Sequence, residues 1–381
     1  MSQVDVNGLP ALQPLNDGGD PGRTIGQRLL NVLPWAALES IAITLLGILV
    51  SMVLFGVFVL LAGHSPFEVY ELMYKGAFGT SFAWGNTLTR AAPLLLTGLC
   101  TALPARLGMV IIGGEGALVM GGLSAAAVAT AVSGASPAVT ISCMFLAGSL
   151  VGGLWIAAAG ALKQFRGVNE TICSLLLIYI AVAILNHMVD KGPMWDPSSL
   201  NNPSSHFIGD ANRIGKLPGI DVHWGLVIGI VACLICWVLM DRTTLGFAAS
   251  IVGGNARAAK MAGLSIASIT LIVSFLAGAA AGIAGVTEVA AVHGRANANL
   301  AVGYGYTGIL VAFLARHNPL AIIPVAVLIG GISAGGGRLQ KSLMMPDATA
   351  LVFQGILFLV VLVFETLYGR LKFLQRREAK S

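Results

Sequence analysis

Charge is what this sequence has least of. Only 10% of its 381 residues are Asp, Glu, Lys or Arg, where a soluble domain carries roughly 25%. So few charges cannot cover a water-facing surface of this size, which excludes an ordinary soluble protein. Catalytic and nucleotide-binding signatures are also missing. The chain has no G-x-x-x-x-G-K-[ST], so it binds no ATP through a P-loop. It has no H-E-x-x-H, no paired metal-ligand spacing and no nucleophile–base arrangement, so neither a catalytic nor a metal site is assigned. Cysteine is limited to Cys100, Cys143, Cys173, Cys233 and Cys236, all in apolar stretches. Cys233 and Cys236 form a C-x-x-C, but within Ile230-Val231-Ala232 and Leu234-Ile235 they read as small hydrophobes of a helix. No cleavable signal peptide is visible. Residues 1–37 are polar, Gly- and Pro-rich, and carry Arg23 and Arg28, as in a cytoplasmic tail.

Apolar residues make up 56% of the chain and its mean hydropathy is +0.85. Lipid is therefore the solvent for most of it. The 48 glycines fit helices that pack closely or break within a membrane. A spanning helix needs about 20 apolar residues. Ten such runs are expected, over 39–62, 91–107, 112–133, 138–162, 171–189, 223–240, 267–290, 305–315, 319–336 and 349–368. The eighth is too short to span alone. The second and third are interrupted by Pro104 and by Gly113-Gly114-Glu115-Gly116. Broken helices at membrane depth occur where they face protein or a wet cavity, which favours a transport pathway over an anchor. Thr97–Ala126 and Gly282–Ser333 both read as broken, Gly-rich pairs of spans, a weak sign of an internal repeat. The expected fold is all-α: a polytopic transmembrane helical bundle of about ten spans with broken helices.

With ten spans both termini share a side. Fourteen of the 22 Lys and Arg then fall on that side, which places both termini in the cytoplasm by the positive-inside rule. The same bias accounts for the net charge of +5 without a nucleic-acid partner. The expected layout is a cytoplasmic tail over 1–37, a membrane domain over 38–370 and a basic cytoplasmic tail over 371–381. Within the membrane domain, the Pro-rich stretch 190–222 forms an extracytoplasmic loop, and the polar stretch 241–266 faces the cytoplasm. The latter contains a short helix opened by Asn255 and stopped by Gly263. Small residues at Ala258, Ala259 and Ala262 would give it one smooth face, fit either to press into another protein or to lie on the membrane.

Other polar residues admit two readings each. Glu115 is either a pathway group or an acid bonded to backbone amides at the helix break. Glu288, followed by His293, Arg295, Asn297 and Asn299, either lines a vestibule or sits at the membrane interface. Asn169 and Glu170 open the fifth span as a helix cap and a dipole partner. Tyr304 and Tyr306 either stack against a flat solute or anchor at the interface, as Trp35, Trp84 and Trp224 do.

Four segments carry a family resemblance. Thr243, Gly246, Gly254, Asn255, Ala258, Ala259 and Gly263 resemble the T-x-x-G … G-x-N-x-x-A-A-x-x-x-G-I of ABC-importer permeases of the nucleoside and simple-sugar type, in the superfamily that includes ribose and branched-chain amino acid permeases. Leu264 replaces the usual Ile, and Ala249-Ser250 replaces an Arg-Ala pair. Arg106-x-Gly108-x3-Ile112-Gly113-Gly114-Glu115-Gly116 is similar to R-x-G-x-x-N-I-G-A-E-G-Q. Gly167-x-Asn169-Glu170-x-Ile172 with Tyr179-Ile180-Ala181 is similar to G-x-N-E-V-I … N-Y-I-A, and Gly303–Pro319 to G-x-G-F-x-G-I-A-V-A-L-L-G-R-x-x-P. The family's amides are replaced by Ile111, Ala117 and Ile178, giving a less polar path.

The resemblance covers most of residues 90–340. It implies a permease subunit in a bacterial or archaeal cell (inner) membrane, carrying a small polar solute, a nucleoside or related base first and a simple sugar second. It implies a cytoplasmic ABC ATPase that holds the ATP and Mg, a second permease subunit, the same or homologous, and an extracytoplasmic solute-binding protein. ATPase coupling would fall to Gly246, Gly254, Asn255, Ala258, Ala259 and Gly263, and the path to Glu115, Glu288, Asn297, Tyr304 and Tyr306. Two alternatives stand beside it. An ion-coupled secondary transporter needs a mid-membrane acid, for which Glu115 is the candidate, and needs no docking helix. An intramembrane enzyme needs a converging catalytic pair, which the spans do not offer.

Overall fold

A computed structural model of the chain describes residues 25–199, 202–346 and 348–367, with side chains from 43 to 364. The described residues form thirteen α-helices and no strand beyond isolated bridges. In chain order these are α1 (Ile25–Leu61), α2 (Pro66–Phe78), α3 (Ser81–Ala105), α4 (Gly114–Ala131), α5 (Pro137–Arg166), α6 (Glu170–Val189) and α7 (Gly225–Arg242). There follow α8 (Thr244–Gly254), α9 (Ala256–Met261), α10 (Ile266–Thr287), α11 (Tyr304–Leu314), α12 (Pro319–Leu343) and α13 (Ala348–Leu367).

Eight of the described helices, α1, α3–α7, α10 and α12, are long and apolar enough to cross a membrane. The other two expected spans are the shorter apolar helices α11 and α13. Each of the ten apolar runs thus lies on a helix, and the protein is a multi-pass membrane bundle. Helix α1 begins inside the stretch expected to be a tail. Residues 1–24 and 371–381, expected as tail, and the side chain of Trp35 lie outside what is described. Trp84 and Trp224 are each 44% exposed, as interfacial residues are. Two helices were not anticipated. Helix α2 buries only Val69, Met73 and Ala77 and packs on α12, and α8 precedes the expected short helix at α9.

At the centre stands α3, packed on α7, α10, α11 and α12. Pro93 and Pro104 lie within it. Each removes one N–H from the helical ladder, and the chain leaves the helix just after Pro104. Residues 106–113 then run non-helically back to the start of α4. The two ends of α3 mark the two ends of the bundle. Arg90 near one end and Arg106 at the other are separated by roughly 24 Å of helix at 1.5 Å per residue.

Helix α10 packs against α5 and α4 by backbone approach rather than by large side chains. A Cβ placed on Gly282 would run into the Gly148 carbonyl of α5 and lie 3.2 Å from Gly152 Cα. The obstacle is main chain, which a rotamer change cannot move. Gly282→Leu should therefore cost about 1–3 kcal/mol or more. The check is thermal unfolding of the detergent-solubilised chain, where a melting temperature equal to wild type would contradict this packing.

Candidate functional site

Two helix N-termini meet inside the bundle. Helix α4 starts at Gly114 after the non-helical return, and α11 starts at Tyr304 after an irregular segment from 294 to 303 that holds a single 3-10 turn, Ala298–Leu300. Glu115, in the first turn of α4, is 2% exposed. Its carboxylate accepts from the backbone N–H of Gly303 at 2.7 Å and from that of Gly305. These are orphan donors at the start of α11. The positive ends of two helix dipoles converge on one carboxylate, which is how an acid is held at this depth. The approach is as close as backbone allows: a Cβ on Gly305 would strike the backbone N and Cα of Glu115. The Thr97 hydroxyl, 3.1 Å from the Tyr304 carbonyl, ties α11 to α3.

Beside this junction lies a cleft of about 520 Å³. Arg90 of α3, Glu288 and His293, Tyr304 of α11, Ser333 of α12 and Gln354 of α13 all reach it. Glu288 is 3% exposed. It opens a π-helical turn, Glu288–His293, that continues α10. Nε2 of His293 stands 3.5 Å from a Glu288 carboxylate oxygen, and Arg90 and Glu115 are the charges whose fields reach Glu288. Across the cleft, Gln354 donates to the Ser333 hydroxyl at 2.7 Å.

The remaining expected path residues lie around this cleft rather than in it. Asn297 is buried, and its side-chain oxygen accepts from Asn299 N–H at 3.0 Å. It also faces Ser204 in an isolated bridge. That bridge belongs to a wider seam between the 190–224 loop and the segment after the π turn. The seam includes Ser205 Oγ accepting from Ala296 N–H at 2.9 Å and Ile208 N–H donating to Gly294 at 3.0 Å. Within the loop, the Ser198 hydroxyl and N–H hold the Asp196 carboxyl below its usual range. Tyr306 is not among the residues lining the cleft and is 44% exposed. Arg90, Ser333 and Gln354 were not singled out from sequence. Gln354 and Ser333 carried the one available signal, a polar side chain inside an apolar run.

The surface at the other end is built from α8, α9 and the start of the non-helical return over 106–113. Arg106 pairs with Asp241 at 2.8 Å, anchoring the end of α7 to the end of α3. Burial, and then the Arg106 guanidinium, hold the nearby His317 imidazole below its usual range, so it is neutral at pH 7. Asn255 accepts from the N–H groups of Arg257 and Ala258 at 3.0 and 3.1 Å, opening α9. Gly263 (φ +77°) ends it in the left-handed region. Gly246 is buried where its helix turns against Met240, and Gly254 is open. The smooth face expected from Ala258, Ala259 and Ala262 is not presented as one surface. Ala259 is fully buried and its carbonyl accepts from Leu264 N–H at 3.0 Å. Outward from α9 stand Arg257, Lys260, Ala262 and Met261, the last 84% exposed. Asn169 caps α6 by accepting from Thr171 and Ile172 N–H at 2.9 and 3.1 Å, and Glu170 pairs with Lys163.

Comparison with known proteins places these features in context. The family described as branched-chain amino acid transport system / permease component matches residues 83–362. A glucose ABC transporter permease protein of Haloferax volcanii is 32% identical over 364 residues, covering 91% of this chain and 90% of the relative. A guanosine ABC transporter permease protein of Bacillus subtilis (strain 168) is 28% identical, covering 85% of this chain and 93% of the relative. A nucleoside ABC transporter permease protein of Lactococcus lactis subsp. cremoris is 26% identical, covering 90% and 96%.

Proposed function

Because the chain belongs to the family of branched-chain amino acid transport system permease components, and is thus a non-catalytic membrane subunit of an ABC transporter, we propose that it forms the import path for a nucleoside or related base. The observation that carries this reading is the cleft itself. A multi-pass bundle has no structural need for a polar recess that exposes a buried carboxylate, Glu288, beside Tyr304 and two broken helices. The 32% identity to a glucose permease supports a simple sugar as the second reading.

In this assignment the cleft faces outward and both termini lie in the cytoplasm. Glu288 and Tyr304 line the entrance. Glu115 and Asn297 fix the backbone that shapes it, and Tyr306 lines the opposite side of α11. The loop over 190–222 meets the solute-binding protein. The α8–α9 surface docks on the ATPase, which holds the ATP and Mg. Asn255, Gly246, Gly254 and Gly263 shape that surface, and Ala258 and Ala259 seat it. A second permease subunit, the same or homologous, completes the path.

The test is affinity purification of the tagged chain from gently solubilised native membranes. An ABC ATPase is expected to co-purify, and cells carrying the complex should take up labelled nucleosides faster than a strain lacking this chain. Absence of any ATPase under conditions that hold a known transporter together would overturn the coupling assignment. Equal uptake of nucleosides by both strains would overturn the solute assignment.

A further inference from the structure

The π turn at the end of α10 has a geometric consequence at the cleft. In an α-helix, residues five apart lie about 140° apart around the axis, at 3.6 residues per turn. A π turn bonds i to i+5 and brings such residues over one another. Glu288 and His293 are five apart and span that turn, and this is what places His293 Nε2 at 3.5 Å from the carboxylate. The turn also aims the pair into the cleft, where Glu288 accepts no hydrogen bond from the described protein groups except what His293 can offer. A carboxylate that is 3% exposed, lines a cleft and keeps acceptor lone pairs free is placed to take donors from a solute.

Several features define the missing donors. An ionised carboxylate is acceptor-only and binds two adjacent hydroxyls at once, the way an acidic residue holds a ribose in dinucleotide sites. Arg90 in the same cleft already supplies a positive field, so a cationic solute has no advantage there. The Tyr304 ring forms an apolar wall, and Gln354 with Ser333 offers further neutral hydrogen-bonding groups opposite. We propose that Glu288, oriented by His293 through the π turn, recognises the vicinal diol of a neutral solute, whether that diol belongs to a free pentose or to the ribose of a nucleoside. Glu288 is the contact residue and His293 a positioning residue. This rests on the permease reading above and adds the chemical feature that the cleft selects.

The experiment compares uptake by cells carrying the complete transporter. The solutes are uridine, 2′-deoxyuridine and 3′-deoxyuridine in one arm, and methyl ribofuranoside and methyl 2-deoxyribofuranoside, which lack a base and are locked in the furanose form, in the other. The arm that is transported identifies the source of the diol. In that arm the diol-bearing solute should exceed its deoxy analogue by about 10- to 100-fold in the ratio of maximal rate to KM, because a site built for a hydroxyl is left unpaired by its loss. Glu288→Gln should lower the ratio for the diol-bearing solute about 10- to 100-fold, lower that of the deoxy analogue, which keeps one of the two hydroxyls, by less, and so shrink the discrimination toward one. His293→Gln, which can still donate to the carboxylate, should keep more of the discrimination than His293→Leu. Equal transport of diol and deoxy solutes by wild type would overturn the proposal, as would discrimination that survives Glu288→Gln undiminished. So would failure to transport any diol-bearing solute by a complex that assembles and hydrolyses ATP, an outcome that leaves the permease reading intact. Failure to assemble with an ATPase would instead sink the reading beneath it.

Discussion

Met261→Asp is expected to strip the ATPase from the complex while leaving the chain itself fully folded. Met261 is 84% exposed on a helix that is otherwise held firmly from below. Asn255 caps that helix, Ala259 is buried under it, and the Leu264 N–H closes its end on the Ala259 carbonyl. A flexible apolar side chain standing out beside the exposed Arg257 and Lys260 has the composition of an interface anchor with charged neighbours. An aspartate there would have to be buried unpaired in the partner's groove. Loss of a central anchor costs at least about 2 kcal/mol, roughly 30-fold in affinity. Co-purified ATPase and uptake should both fall by about that factor, while the melting temperature of the isolated chain stays within a degree or so of wild type, as for surface substitutions. Met261→Leu should retain both. Ala259→Trp makes the contrasting case. It forces a large ring into a fully buried position and should lower the melting temperature of the chain itself. Undiminished ATPase recovery with Met261→Asp would show that this surface does not dock.

The contrast between Met261 and Ala259 also shows where sequence reasoning stops. Asn255 and Gly263 were legible as the ends of α9 because capping chemistry is local: an amide acceptor for the first free N–H groups and a left-handed exit. Which side of a six-residue helix faces inward is not local. It depends on α8 and α10 packing against it. The ten apolar runs were legible because lipid demands a minimum length of apolar chain. Helix α2 escaped that criterion because it carries Glu68, Glu71 and Lys75 and buries only three side chains. At the cleft, the acid at 288 and the tyrosine at 304 stood out as polar residues in apolar surroundings. The π turn that pairs Glu288 with His293 has no sequence signature, since the same residues continue an α-helix equally well by composition. The Glu115 contact joins residues 188 and 190 positions apart, a separation no periodicity encodes.

That long-range contact supplies the second large effect. Glu115→Gln keeps the shape of the side chain but turns one of two acceptor oxygens into an N–H₂ donor. Both oxygens face backbone N–H groups, of Gly303 and Gly305, so one donor must now oppose another. The loss is at least one charge-assisted bond, about 1.5–3 kcal/mol. The start of α11 should loosen, and with it Tyr304 at the cleft wall and the Thr97 tie to α3. Uptake is expected to fall roughly 10- to 100-fold, one decade per 1.4 kcal/mol. Gly305→Ala provides an independent route to the same defect, because its Cβ would strike the Glu115 backbone while the carboxylate stays intact. Similar losses from both variants would assign the effect to the junction rather than to the charge. An ion-coupling role makes the opposite prediction. A coupling acid must exchange its proton with water, whereas Glu115 is 2% exposed with both oxygens engaged by α11. Were it nonetheless the coupling group, Glu115→Gln would carry solute down its gradient without any dependence on pH or ATP. Uptake by the two variants, measured across pH with and without ATP depletion, separates the two roles at the one carboxylate on which both broken helices converge.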